Sequence, residues 1–155
     1  MRKVSRRKAL ILMSMVVAAA RTVRGQLPRK MDVYKDASCG CCGYWVAHLR
    51  KQGFEVTAND VTNLNEIKDK NRVPRQTRSC HTGLVDGYVI EGHVPAADVH
   101  RLLKERPAGV IGLAVPGMPI GSPGMEGANP QPYDVLAFDR EGRTRVFASH
   151  GPASR

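Results

Sequence analysis

The chain has 155 residues, 42% of them hydrophobic and 25% charged, with a formal net charge of +10. That composition supports one buried core and excludes a disordered chain, a collagen-like or repeat protein, a polytopic membrane protein and a pair of large domains. Half of the excess charge sits at the start, where Arg2, Lys3, Arg6, Arg7 and Lys8 precede an uncharged apolar run over residues 9–20 that ends in Ala18-Ala19-Ala20. A basic stretch, a short apolar stretch and small residues are the parts of a secretory signal peptide, so residues 1–20 are expected to direct export, with cleavage near Ala20. Ser5-Arg6-Arg7 followed by Leu10 resembles the twin-arginine signal, with Ala9 where that signal usually carries Phe. The alternative, an uncleaved anchor, needs a longer apolar run than this. Cleavage would leave a net charge of +5 and a flexible basic tail over residues 21–30 that carries Arg21, Arg24, Arg29 and Lys30. No basic stripe is interleaved with aromatics, which argues against nucleic acid as a partner and leaves membrane contact to the export step.

From residue 31 the pattern is that of an α/β domain running to residue 150. Residues 31–35 read as a strand that enters Asp36-Ala37-Ser38-Cys39-Gly40-Cys41-Cys42-Gly43, where a helix should begin. Trp45, Val46 and Leu49 mark its apolar side, Arg50 and Lys51 suit the negative end of its dipole, and Gly53 can close it. Residues 54–58 form a second strand. Asn63 and Glu66 have the spacing of a capping box and start a second helix that Pro74 cannot continue. Residues 82–85 and 88–91 flank Asp86-Gly87, a strong hairpin signal. Pro95 then opens a third helix with Val99, Leu102 and Leu103 on its apolar face, and Pro107 ends it. The order β-α-β-α-β-β-α, with cysteines between the first strand and first helix, resembles the thioredoxin-like fold, a sheet sandwiched by helices. Residues 107–132 are expected to be a long Gly/Pro/Met loop, and residues 135–138 and 144–148, joined through Glu141-Gly142, a C-terminal β-hairpin outside that minimal core.

The four cysteines are Cys39, Cys41, Cys42 and Cys80, the last beside His81 just ahead of the third strand. In such a fold Cys80 faces the N-terminus of the first helix, whose free N–H groups favour thiolate over thiol and lower a cysteine pKa from about 8.5 toward neutrality. Three readings compete. Soft Cu(I) selects thiolate, imidazole and thioether, and Cys39, Cys41, Cys42, Cys80, His81, Met118 and Met125 supply all three. Adjacent Cys41 and Cys42 diverge, so thiolates bridging several coppers would use the sulfurs better than one mononuclear site. The second reading is a thiol–disulfide or copper oxidoreductase using the C-x-x-C pair Cys39/Cys42. Against it stand the extra thiol of Cys41, which invites mispairing, and Ser79-Cys80-His81 where such enzymes carry a proline before the third strand. The third, two structural disulfides, is weakened because bridges between near neighbours constrain little. Structural zinc prefers two separated cysteine pairs, and an iron–sulfur cluster needs neither the histidine nor the methionines, so copper ranks first.

His93, in Gly92-His93-Val94-Pro95, can face the same end of the sheet and joins the candidate ligands, with a helix-start residue bonded to backbone as the plainer account. His48 on the first helix and His100 on the third read as surface residues, and His150 as part of a frayed terminus outside the site. Tyr44 and Trp45 could shield the cluster, although core packing explains them as simply.

Four segments together carry a resemblance. Val-Tyr-Lys-Asp-Ala-Ser-Cys-Gly-Cys-Cys-Gly-Tyr-Trp at 33–45, Arg-Ser-Cys-His-Thr at 78–82, Glu-Gly-His-Val-Pro-Ala at 91–96 and Gly-Leu-Ala-Val-Pro-Gly-Met-Pro-Ile-Gly-Ser-Pro-Gly-Met-Glu at 112–126 resemble an exported metal-binding family of unknown function that includes CopG-type copper-resistance proteins. The resemblance implies a thioredoxin-like fold, a periplasmic location, and copper handling with a periplasmic copper chaperone or an efflux system as partner. It places metal ligation on Cys39, Cys41, Cys42, Cys80 and His81, with Met118 and Met125 in the loop. Binding, transfer and redox cycling of copper remain open alternatives, so the chain is read as a metal-binding protein before it is read as an enzyme.

Overall fold

A computed structural model of the chain describes residues 28–152. The expected signal peptide and most of the expected basic tail lie outside the described residues. Strand β1 (Arg29–Lys35) begins two residues earlier than its apolar alternation suggested. Its parallel partner β2 (Phe54–Asp60) is equally long, so Arg29 and Lys30 pair with Phe54 and Glu55, and the Arg29 guanidinium also pairs with Asp86. These two basic residues are therefore strand, not tail.

Helix α1 (Gly40–Lys51) buries Cys42, Trp45, Val46 and Leu49, the i, i+3, i+4, i+7 stripe of one helical face. Trp45 and Leu49 are fully buried, each contributing about 1.5–3 kcal/mol of apolar transfer free energy. Helix α2 (Leu64–Lys70) starts as expected. The Asn63 side chain accepts from Glu66 N–H (3.3 Å), and Asn63 Nδ2 donates back to Glu66 Oε2 (3.5 Å). It ends ahead of Pro74, and a 3-10 turn (Arg75–Thr77) follows. Strands β3 (His81–Val85) and β4 (Tyr88–Glu91) are joined by Asp86 and Gly87, both at positive φ (47° and 83°), the geometry a tight hairpin turn requires. Helix α3 (Ala96–Glu105) closes at Arg106, which takes the left-handed conformation.

The expected 107–132 loop requires correction. Val110–Ala114 is strand β5, parallel to β4 through Val89↔Gly112 and Glu91↔Ala114, and antiparallel to β6 (Tyr133–Asp139). Val-Ile-Gly-Leu-Ala is a short apolar run with a glycine inside it. Such a run alternates too little to announce a strand, but it suits one covered on both faces. Because β5 bridges to β6 and β7 (Thr144–His150), the C-terminal hairpin extends the same sheet. The seven strands lie in the order β2-β1-β3-β4-β5-β6-β7. Helices α1 and α3 cover one face, packing Trp45, Leu49, Val99 and Leu102 against Val33, Ile90 and Leu113. On the other face, Lys68 of α2 reaches Thr82 of β3, and Val73, between α2 and the 3-10 turn, clusters with Val89, Ala114 and Phe138. The structure is thus mixed α/β, with the expected β-α-β-α-β-β-α order and three added strands. No helix among the described residues is long and apolar enough to cross a membrane.

Candidate metal centre

Sheet register brings the cysteines together. Antiparallel pairing sets Lys35, the last residue of β1, opposite His81, the first of β3, so the chain entering α1 meets the chain entering β3. Pairing of Thr82 with Glu91 sets the end of β4 at the same edge, which delivers His93. Cys39 is the N-cap residue of α1, and Cys41 and Cys42 lie in its first turn.

Cys39 and Cys42 form a disulfide with Cα atoms 5.4 Å apart, while Cys41 and Cys80 are free. Cys41 Sγ lies 3.6 Å from Cys39 Sγ and 4.0 Å from Cys80 Sγ, and Cys42 Sγ lies 3.6 Å from the Cys80 carbonyl oxygen. Cys80 Sγ is in turn 3.2 Å from His81 Nδ1 and 3.1 Å from His93 Nε2. His81 Nε2–H donates to Gly92 O (3.0 Å) and His93 Nδ1–H donates to Pro123 O (2.8 Å). These backbone acceptors assign the tautomers and leave the lone-pair nitrogen of each ring facing the Cys80 sulfur, the way a hydrogen bond on the far nitrogen fixes a histidine that ligates through the near one.

Burial holds both imidazoles neutral. It pushes His81 well below the ordinary histidine range, reinforced by His93, and lowers His93 against the opposing pull of the Pro123 carbonyl and Glu126. Burial, then the neighbouring Cys41, raises the Cys80 thiol to about 12. Cys80 is thus not activated as the helix-terminus argument would suggest. It stands on the strand side of the gap, beyond the first turn of α1, and an arriving ion must displace its proton.

Trp45 floors the cluster. Its ring lies 4.2 Å from His81 and its Nε1–H donates to Val94 O (2.9 Å), whereas Tyr44 is 69% exposed and shields nothing fully. The loop over residues 115–132 covers the other side. Ser79 Oγ donates to Gly117 O (2.5 Å), and Gly124, at φ +85°, lies so close to the first turn of α1 that a Cβ there would stand 2.7 Å from Trp45 N and 2.9 Å from Cys41 O. Met125 follows that contact and is half-buried; Met118 is 51% exposed. The fold therefore gathers Cys39, Cys41, Cys42, Cys80, His81 and His93, and folds over α1 the loop that carries the two methionines.

The other histidines serve elsewhere. His48 is half-buried and its Nε2 accepts from Ala96 N–H (3.2 Å), capping α3, so it is not the surface residue expected. His100 is exposed, stacked 4.4 Å from Phe54. His150 is ordered in β7 and pairs with Asp98 (2.6 Å). Sequence reasoning missed the support behind Cys80. Glu91 Oε1 accepts from Ser79 N–H (2.6 Å) and from Lys68 Nζ (2.5 Å), and Thr82 Oγ1 donates to Glu91 Oε2 (2.7 Å). Burial raises the Glu91 carboxyl above its ordinary value. An acidic residue ending the apolar strand Tyr-Val-Ile-Glu was the available signal.

Residues 77–125 match the family described as a protein of unknown function, DUF411. No curated protein matches the chain. Two solved structures, named copper resistance protein CopG forms 1 and 2, are each 44% identical to it. Form 2 superposes with a TM-score of 0.75 over 80% of this chain and 99% of its own, and form 1 with 0.76 over 81% and 99%. Identity at that level over nearly the whole of those structures, with the same α/β architecture, shows that the chain belongs to the CopG family of copper resistance proteins.

Proposed function

We propose that this is a periplasmic copper-binding protein that takes Cu(I) as its cargo and acts in copper resistance or homeostasis. One observation carries the reading: the donor atoms of Cys39, Cys41, Cys42 and Cys80, and those of Cys80, His81 and His93, form two groups whose members all lie within 4.8 Å of one another. Sulfur and imidazole are the donors soft copper prefers, and Cys80 belongs to both groups, which suits thiolates bridging more than one ion. Reduction of the Cys39–Cys42 disulfide would complete the four-thiol set. Met118 and Met125 would add thioethers from the covering loop. The basic and apolar start of the chain supports export, and a copper chaperone or efflux system is the partner class a carrier needs. Metal analysis of protein purified from the periplasm without air or chelator should find copper. Cys80→Ser should lower Cu(I) capacity sharply and His100→Ala should leave it unchanged; equal loss from both would point to misfolding.

The disulfide at the start of α1, with a free thiol 3.6 Å from one of its sulfurs, favours a second reading as a thiol–disulfide or copper oxidoreductase. An insulin-reduction assay separates the two. The copper carrier should show little turnover, and sustained turnover lost in Cys39→Ser would favour the oxidoreductase.

A further inference from the structure

The two donor groups share only Cys80 Sγ, and the disulfide affects them differently. The four-sulfur group loses two of its thiolates while Cys39 and Cys42 are joined, because the thiolate is the form that ligates. The group of Cys80, His81 and His93 contains neither of those atoms. Its two sulfur–nitrogen separations, 3.2 and 3.1 Å, need to open only to about 3.5 Å to surround an ion at ordinary metal–sulfur and metal–nitrogen distances. Both rings are fully buried, both are oriented by backbone carbonyls, and each keeps its lone-pair nitrogen on the sulfur.

We propose that the centre is two overlapping metal sites and that the Cys39–Cys42 bond selects between them. With the disulfide formed, Cys80, His81 and His93 hold one borderline divalent ion of the Cu(II) or Zn(II) class. With it reduced, Cys39, Cys41 and Cys42 join Cys80 and the centre takes soft monovalent ions. One thiolate with two imidazoles is a donor set suited to copper(II) and zinc, whereas an all-thiolate set selects Cu(I). The switch requires a dithiol reductant. The dithiol gives two electrons and two protons to the Cys39–Cys42 bond and becomes a disulfide, and the new thiols lose their protons to solvent when an ion binds. The proposal rests on the copper-binding reading, and its test separates the two.

The disulfide form of the full exported chain is titrated without oxygen with Co(II), which tests the divalent site without oxidising or reducing the sulfurs. One equivalent should bind, with a thiolate-to-cobalt charge-transfer band. His93→Ala should weaken that binding at least about tenfold. His93→Gln, which retains a donor for Pro123 O, should weaken it too and serves if the alanine variant melts early. After reduction and removal of the dithiol, Ag(I), a monovalent stand-in for Cu(I), should bind to a higher stoichiometry than in the disulfide form. Absence of Co(II) binding in the disulfide form, or binding indifferent to both His93 variants, would overturn the two-site proposal while Ag(I) uptake by the reduced protein kept the copper reading intact. Failure of the reduced protein to take up Ag(I) would overturn both.

Discussion

Strands β3 and β4 carry two buried polar clusters, one on each face of the sheet, and they are built on opposite principles. On the α2 side, Lys68 and Glu91 form a buried ion pair closed by the Thr82 hydroxyl. Lys68 Nζ reaches Thr82 Oγ1 (3.0 Å) and Glu91 Oε1, and both carboxylate oxygens are engaged by protein donors. On the α1 side, Cys80, His81 and His93 carry no charge, and the lone-pair nitrogens of both rings converge on the Cys80 sulfur at 3.2 and 3.1 Å. A cluster whose donors all have protein acceptors is structural, and its cost appears when one member is removed. A cluster whose acceptors converge on a common point can open slightly to take a reactant. Glu91 links the two, since its Oε1 holds the Ser79 backbone immediately before Cys80.

Three measurements would break or sharpen that contrast. The largest effect is expected from Lys68→Met, which leaves Glu91 as an uncompensated buried carboxylate. Denaturant unfolding near neutral pH should show a loss of about 3–5 kcal/mol, and the added change Glu91→Leu should recover much of it. Lowering the pH should shrink the deficit of the single variant, because its buried carboxyl can then take up a proton. If Lys68→Met were neutral, the closed cluster would not be a structural one.

The next effect comes from acid acting on the metal-free open cluster. His81 and His93 have pKa values lowered by burial, so below about 6.5 the unfolded chain binds protons that the folded chain does not. Stability therefore rises with pH through that window and is lost as pH falls from about 6.5 toward the folded values. The slope reaches at most about 1.4 kcal/mol per pH unit for each histidine. Bound metal should steepen this slope, because it keeps the same nitrogens unprotonated and Cys80 as thiolate in the folded chain while the unfolded chain takes up those protons, a difference that thermal melts at pH 5 and pH 7 would reveal. The smallest effect is expected from His48→Ala, which removes the acceptor at the first turn of α3 and should cost about 1 kcal/mol in an unfolding titration while leaving metal stoichiometry unchanged.

The elements that were legible in the sequence are those whose signals lie within a few residues. The Asn63–Glu66 cap, the Asp86-Gly87 turn and the apolar stripe of α1 each depend on neighbours one helical turn or one hairpin apart. Strand β5 was hidden because Val110–Ala114 has no polar residue to alternate with its apolar ones, Val110 and Ile111 being half-buried and Gly112, Leu113 and Ala114 buried. The disulfide pair was legible only as a spacing, since Cys41 offered an equally near partner. Lys68 looked like an ordinary basic residue on a short helix, although its ammonium is buried against a strand residue far along the chain.

By itself, the sequence determined the chemistry available to this protein. A cysteine triplet, a Cys-His pair and a methionine loop are soft donors wherever they lie, because donor softness belongs to the atoms. The tertiary structure decided which of those donors meet. Cys41 and Cys80 are 39 residues apart, and Cys80 meets His93 only because β3 pairs with both β1 and β4 in one register. A shift of one residue in that pairing would turn His81 to the face of α2 and bring Thr82 toward the cysteines, since successive strand side chains point to opposite sides. Convergence of the donors is thus a property of long-range register, which local sequence patterns do not encode.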